Sequence, residues 1–105
     1  MAERLIVSNE SLPGFTHEAR RVMARVECMA HAGETTVIAP MGASGPLMIP
    51  GVRHVDPHVP VGADWDATEV VVADATADYL AEHPAKLVHC FGIRAGISAL
   101  LRQRS

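Results

Sequence analysis

A strand, a helix and a second strand follow one another within the first forty residues, and this order constrains the fold more than any other feature. The apolar run at 5–7 is followed by a loop that contains Pro13-Gly14. A helical pattern occupies residues 16–32 and Gly33 ends it, before a β-branched run at 35–39. This order is typical of a βαβ unit, in which a right-handed crossover makes the two strands parallel neighbours. The sequence therefore predicts an α/β fold.

The remainder of the chain adds two strands and two helices, which gives the order β-α-β-β-α-β-α. A short strand is followed by a helix that Asp64 or Asp66 caps and His83-Pro84 ends, and then by a strand and a last helix. We therefore predict one Rossmann-like domain over 1–105, with an open parallel sheet of four strands in the order 3-2-1-4 and three helices. The four further elements are expected at residues 52–55, 64–82, 86–90 and 93–102.

The spacing of apolar residues predicts which helix faces are buried. In the second helix, one face carries Val70, Ala73, Ala77 and Leu80. In the first helix, residues three and four apart form one stripe, made of Ala19, Val22, Met23, Val26, Met29 and Ala30.

Composition narrows the class of protein. Apolar residues make up 49% of the chain, yet only one Trp, one Tyr and two Phe are present, so an aliphatic core is expected. The net charge of −3 gives no support for non-specific binding to nucleic acid or to an anionic membrane. No apolar run approaches the roughly 18 residues of a membrane span, and residues 1–4 do not begin a signal peptide, so we expect a cytoplasmic protein.

The cysteines and histidines predict neither a metal site nor a cofactor. Cys28 and Cys90 are expected to be reduced, buried thiols. Among the six histidines only His54 and His58 have a helical metal-binding spacing, and Pro57 between them prevents a shared helix face.

The predicted strand order places a ligand site between the first and fourth strands, where the order reverses. Gly14 and Gly92 would let the backbone approach a ligand closely, and the starts of the first and third helices would favour an anion. The other residues that the two loops bring together are Asn9, Glu10, His17, His89 and Arg94.

Each of these side chains also has a structural interpretation. Glu10 is equally compatible with a solvated loop carboxylate, and His17 with a surface position in the first helical turn. His89 fits a partly buried residue that makes a structural hydrogen bond. Arg94 at a helix start is electrostatically unfavourable, which makes an anionic partner more attractive.

Common nucleotide-binding and nucleophile motifs are missing. The loop after the first strand lacks G-x-G-x-x-G, and the second strand ends in Pro40 rather than in an acidic residue. Gly42 and Gly45 precede Pro46 and more loop, not a helix that could hold a phosphate. Neither a P-loop nor a serine elbow is present.

Several stretches share their order with a known family. Residues 5–9 read LIVSN and precede Pro13-Gly14, and the first helix ends in AHAGE at 30–34 before TVIAP at 36–40. Residues 87–96 read LVHCFGIRAG. Together these stretches resemble the amino-terminal domain of GT-B glycosyltransferases. The likeness is greatest to the retaining family-four type, whose corresponding strand and loop end in V-H-x-H-G.

The resemblance implies transfer of a sugar from a nucleotide-sugar donor to a small-molecule or glycan acceptor, with this domain on the acceptor side of an interdomain cleft. It matches Gly14 to a glycine that faces the donor phosphates, and His89 to the first histidine of V-H-x-H, with a catalytic role. Pro13 and Phe91 replace the family's other glycine and second histidine. Since the donor-side domain is absent from these 105 residues, we expect a fragment or half-enzyme that is inactive alone.

A second class of function remains open, namely a small noncatalytic α/β module for binding or assembly that uses the same crevice. The outer edge of the fourth strand would lack a neighbour, and the last helix would expose an apolar face. Both features predict association, either with another copy of the chain or with a partner half-enzyme. The residues that form this apolar face are Ile93, Ile97, Leu100 and Leu101.

Overall fold

The computed structural model describes residues 3–42 and 45–91, and in these residues the chain forms an α/β fold of four strands and two helices. The elements follow the predicted order. They are β1 (Glu3–Ser8), α1 (His17–Ala32), β2 (Thr35–Ile38), β3 (Val52–Val55), α2 (Trp65–Glu82) and β4 (Ala85–Phe91). The third helix predicted at 93–102, with Gly92 and Arg94, lies outside the described residues.

The sheet is parallel throughout, and its strand order is β3-β2-β1-β4. The prediction of sheet type and order is therefore confirmed. In register, Ile6 of β1 lies level with Val37 of β2 and with His89 of β4, and Ser8 lies level with Phe91. All four strands end at one edge, which we call the carboxyl edge, and the order reverses between β1 and β4.

Helix α1 begins and ends through the local chemistry that its sequence predicts. Thr16 is the N-cap, and its Oγ1 accepts a hydrogen bond of 3.0 Å from the Ala19 amide. At the other end the Gly33 amide donates to the Met29 carbonyl at 3.2 Å. The predicted stripe is buried at Ala19, Val22, Val26 and Met29.

Helix α2 is capped by Asp64, whose Oδ1 accepts a hydrogen bond of 2.8 Å from the Ala67 amide. Its predicted buried face is partly wrong, because Val70 is 41% exposed. The helix instead buries the polar residues Thr76 and Tyr79. The Thr76 hydroxyl donates a hydrogen bond to the Val72 carbonyl, and the Tyr79 hydroxyl donates one to Thr36 Oγ1, so both buried hydroxyls have partners. The buried residues of α2 are Val72, Ala73, Thr76, Tyr79 and Leu80.

The two helices cover opposite faces of the sheet. Alternate residues of β1 point to opposite sides, so Ile6 packs with α1 whereas Leu5 and Val7 pack with α2. The sheet is therefore covered on both faces, and the loops that follow its strands lie at the carboxyl edge. No helix in the described residues combines the length and the apolar character needed to cross a membrane.

Candidate functional site

A pocket of about 400 Å³ opens at the carboxyl edge, between the loops that follow β1, β2 and β3 and the start of α2. This volume is within the range of small-molecule sites. Its polar wall carries three carboxylates, an amide and a tryptophan ring. These lining residues are Asn9, Glu10, Asp56, Asp64 and Trp65.

Backbone hydrogen bonds hold two of these loops together. The Leu12 amide donates to the Pro40 carbonyl at 2.9 Å, and the Gly42 amide donates to the Leu12 carbonyl at 3.1 Å. Leu12 is fully buried in the core on the α1 side of the sheet. The loop after β1 is therefore anchored to the loop after β2, which fixes one wall of the pocket.

The side chain of His54, in β3, forms hydrogen bonds to the segment between β2 and β3. Its Nδ1 accepts a hydrogen bond of 3.0 Å from the Leu47 amide, and its Nε2 lies 2.8 Å from the Ala39 carbonyl. A carbonyl can only accept, so Nε2 carries the proton and the ring is the neutral tautomer that uses both nitrogens. This histidine therefore has a structural role.

Asn9 follows β1 and is the least satisfied polar side chain of the pocket. It is only 5% exposed, and its Oδ1 has no hydrogen-bond partner within the part of the chain that the structure describes. A buried polar atom without a partner is costly, typically by about 1–3 kcal/mol. The neighbouring turn is well bonded, because the Glu10 amide donates to Ser8 Oγ at 3.0 Å. The missing hydrogen bond is therefore confined to the side-chain amide of Asn9.

The acidic side chains of the pocket come from three separate segments. Asp56 follows β3, and its Oδ1 accepts a hydrogen bond of 2.9 Å from the His58 amide. Asp64 caps α2, and Glu10 follows β1. No lysine or arginine side chain that the structure describes lines the pocket. The described side chains of the lining therefore carry a net negative charge.

Trp65 is the first residue of α2 and the only tryptophan of the chain. It lines the pocket, and 53% of its surface is exposed. An exposed indole at a polar pocket offers a flat apolar surface and a π-face for a ligand.

The structure separates the residues that the sequence predicts for a site. Asn9 and Glu10 line the pocket, whereas Gly14 and His17 do not. Gly14 packs closely, since a Cβ built on it would lie 2.6 Å from the Ser11 carbonyl oxygen. His17 is exposed in the first turn of α1.

His89 also lies away from the pocket. It is level with Ile6, two residues before the end of β4, and its ring stacks on Phe91. Burial lowers the pKa of His89, and the positive charge of Arg25 on α1 lowers it further. Phe91 and Arg25 both line a separate cleft of about 360 Å³ between α1 and β4, so His89 belongs to the α1 side of the sheet.

Sequence reasoning missed Asp56, Asp64 and Trp65 as site residues, because the acidic segment that contains them is typical of solvated surface. The order of the elements does contain a signal that could have identified these residues. All three follow β3, and the carboxyl end of every parallel strand meets the same edge.

Comparison with known proteins adds no relative to these observations. No family model, no curated protein and no solved structure matches the chain. Within the described residues, no group of three or more histidine, cysteine, aspartate or glutamate side chains could hold a metal ion. The chemistry of the site therefore rests on the pocket itself.

Proposed function

We propose that this chain is the acceptor-side domain of a GT-B glycosyltransferase that transfers a sugar from a nucleotide-sugar donor. The observation that carries the proposal is the combination of a parallel sheet in the order β3-β2-β1-β4 with a polar pocket at its carboxyl edge. In open α/β sheets this edge is where ligands bind. The stretches that resemble the retaining family-four type contribute Asn9 and Pro40 to the lining of this pocket.

The chemistry of the pocket suits a hydroxylated acceptor. Carboxylates of Glu10 and Asp56 can accept hydrogen bonds from sugar hydroxyls, and the Asn9 amide can serve as donor or acceptor. The half-exposed ring of Trp65 can pack on the apolar face of a sugar. A few polar groups beside one aromatic surface are a common design for orienting a small ligand.

The donor side of the reaction would involve the start of α1. Gly14 lies just before Thr16, whose cap begins the helix, and the positive helix end favours a phosphate. In this proposal His89 is the catalytic residue, as the resemblance implies. Its lowered pKa keeps the ring neutral at pH 7, which is the form that can accept a proton.

Apolar side chains on the loops of the carboxyl edge support contact with a second domain. Phe15 is 90% exposed and Val61 fully exposed, and Met41 and Trp65 are about half exposed. All four follow strands that end at this edge, and exposed apolar residues on one side of a domain are typical of an interface. Since catalysis needs groups on both sides of the transferred sugar, we expect this domain to be inactive without a donor-side domain.

The decisive experiment is to sequence the coding region beyond the Ser105 codon and to assay its complete product for hexose transfer from nucleotide sugars. We expect a second Rossmann-like domain with a Gly-Gly loop and two spaced glutamates, and measurable transfer. In that enzyme His89→Ala should lower kcat by a large factor, while the unfolding midpoint should change little. A complete product that has no such domain and transfers no hexose would overturn the proposal.

A noncatalytic binding or assembly module is the second candidate. It is favoured by Leu87, which is 50% exposed on β4, a strand that pairs only with β1 among the described residues. A half-exposed leucine on an edge strand is typical of a surface that meets another chain. Stable assembly without any transfer activity would support this candidate over the enzyme.

A further inference from the structure

The composition of the carboxyl-edge pocket indicates which kind of acceptor it takes. We infer that it binds a positively charged, amine-bearing polyol, such as an amino sugar, with the ammonium group among the carboxylates. This inference rests on the proposed function, because it names the chemical class of the acceptor. It is carried by Asn9, Glu10, Asp56, Asp64 and Trp65.

The first argument is the buried amide of Asn9. Its Oδ1 is shielded from water and has no partner in the described part of the chain, although the side chain lines the pocket. Buried polar atoms almost always have a partner, so such an exception needs an explanation. An N–H or O–H group of a ligand would supply the missing donor. The amide therefore indicates a polar ligand that donates hydrogen bonds.

The second argument is the sign of the charge. Glu10, Asp56 and Asp64 face the pocket from three segments, and the described residues contribute no lysine or arginine to it. A phosphate or carboxylate on the acceptor would be repelled, whereas an ammonium group would be attracted. Asp64 also offsets the positive end of α2, since it caps that helix.

The third argument separates an organic cation from a metal ion. The three carboxylates are spread along the walls, and they form no group that could hold a metal, as noted for the described residues. An amino sugar carries its charge and its hydroxyls over a larger volume, which matches donors and acceptors placed apart. The exposed ring of Trp65 adds a π-face, on which ammonium groups bind favourably.

The direct test is a titration of the purified chain with glucosamine and with glucose. Because Trp65 is the only tryptophan and lines the pocket, its fluorescence reports occupancy of this site. We expect glucosamine to bind roughly three- to tenfold more tightly than glucose, as one ion pair near a protein surface would give. Added salt should weaken glucosamine binding and leave glucose binding unchanged.

Two variants and a control locate the effect. Glu10→Gln should reduce the preference for glucosamine over glucose severalfold, because it removes the charge but keeps an oxygen that can accept a hydrogen bond from a hydroxyl of either sugar. Asp66→Asn removes the same charge from the first turn of α2 but does not line the pocket, so it should leave both affinities unchanged. Asn9→Leu should weaken both sugars while the urea midpoint stays equal or rises, because it removes a buried polar atom that lacks a partner.

The outcomes separate this inference from the proposed function. Equal binding of glucose and glucosamine, unaffected by Glu10→Gln, would overturn the inference and leave a neutral acceptor for the same enzyme. The inference would also be overturned if Asp66→Asn reduced the preference for glucosamine as much as Glu10→Gln does. The preference would then come from long-range attraction and not from carboxylates that line the pocket. Absence of binding by either sugar would also overturn it. The hexose-transfer assay decides the proposed function independently, because it does not depend on the charge of the acceptor.

Discussion

The imidazole ring of His89 lies parallel to the ring of Phe91, with 4.6 Å between the centroids and 5° between the planes. The two residues alternate on β4 and so share one face of the sheet, the face that α1 covers. Phe91 occupies the position at which the resemblance places a second histidine. The stack therefore surrounds His89 with an apolar neighbour instead of a second ionisable ring.

This environment predicts an acid-sensitive stability. Burial, and then the charge of Arg25, holds the pKa of His89 below 6.5, the value expected in the unfolded chain. The unfolded chain therefore binds the proton more readily, so the free energy of unfolding should fall as the pH drops from 6.5 towards the lower folded-state pKa. Above 6.5 this contribution should be fully present. Urea unfolding at a series of pH values measures it.

His89→Phe tests the assignment, because it keeps an aromatic ring beside Phe91 and removes the titrating group. The variant should lose part of the acid dependence between pH 6.5 and the folded-state pKa. His17→Gln is the matched control, since His17 is exposed in α1, and it should keep that dependence. An unchanged acid slope in His89→Phe would show that other groups cause it.

The two cysteines should differ strongly in reactivity. Burial raises the pKa of Cys90 to about 11, whereas Cys28 is exposed on α1. The prediction that both thiols are buried is therefore wrong for Cys28. Since the thiolate is the reactive form, Cys90 should have roughly a hundredfold less of it at neutral pH than a thiol with the ordinary value of 9.0. Titration with an aromatic disulfide in native buffer should therefore show one fast thiol.

Cys28→Ser should remove the fast phase and leave only slow labelling, and Cys90→Ser should leave the fast phase intact. Labelling in denaturant should be fast for both thiols. Equal native rates for the two thiols would contradict the burial of Cys90.

Gly14 should be required for the fold before it is required for any ligand. A methyl group at this position would lie 2.6 Å from the Ser11 carbonyl oxygen and 3.1 Å from the Ala19 Cβ. Because the nearest atom belongs to the backbone, Gly14→Ala should lower the free energy of unfolding by about 1–3 kcal/mol. Urea unfolding of the chain measures this change.

Gly62→Ala is the comparison, since a Cβ there meets no atom within 4 Å and only the φ of +83° opposes it. Gly62→Ala should lower the free energy of unfolding by about 1–2 kcal/mol, through left-handed backbone strain alone. The donor-phosphate role of Gly14 is then tested in the complete enzyme, with donor affinity measured under conditions in which Gly14→Ala remains folded. If Gly14→Ala leaves the unfolding midpoint unchanged, the close packing is wrong.

The sequence predicts the elements that local chemistry determines. Thr16 and Asp64 are N-caps because each places a side-chain oxygen near the amide three residues later, a relation that depends on spacing alone. The parallel pairing of β1 with β2 follows from the order strand, helix, strand in residues 3–38.

The pocket depends instead on tertiary placement. Asn9, Pro40 and Asp56 are distant in sequence, and they meet because β1, β2 and β3 are parallel and end at the same edge. The depth of His89 within β4 depends on its register with Ile6, which no periodicity specifies. Burial of Thr76 in α2 depends on a hydrogen bond to the backbone, and a hydrophobic pattern cannot show that bond.

The last prediction concerns association of the chain. In the described residues β4 pairs only with β1, so the backbone groups on its outer side can pair with another chain. Leu87 on this strand is 50% exposed and would add apolar area to such a contact. Light scattering over a range of concentrations should therefore show a mass that rises above that of the monomer. Leu87→Lys should lower this mass, whereas Met48→Lys, which places the same charge on the loop before β3, should not. A chain that stays monomeric at high concentration would show that this edge needs no partner.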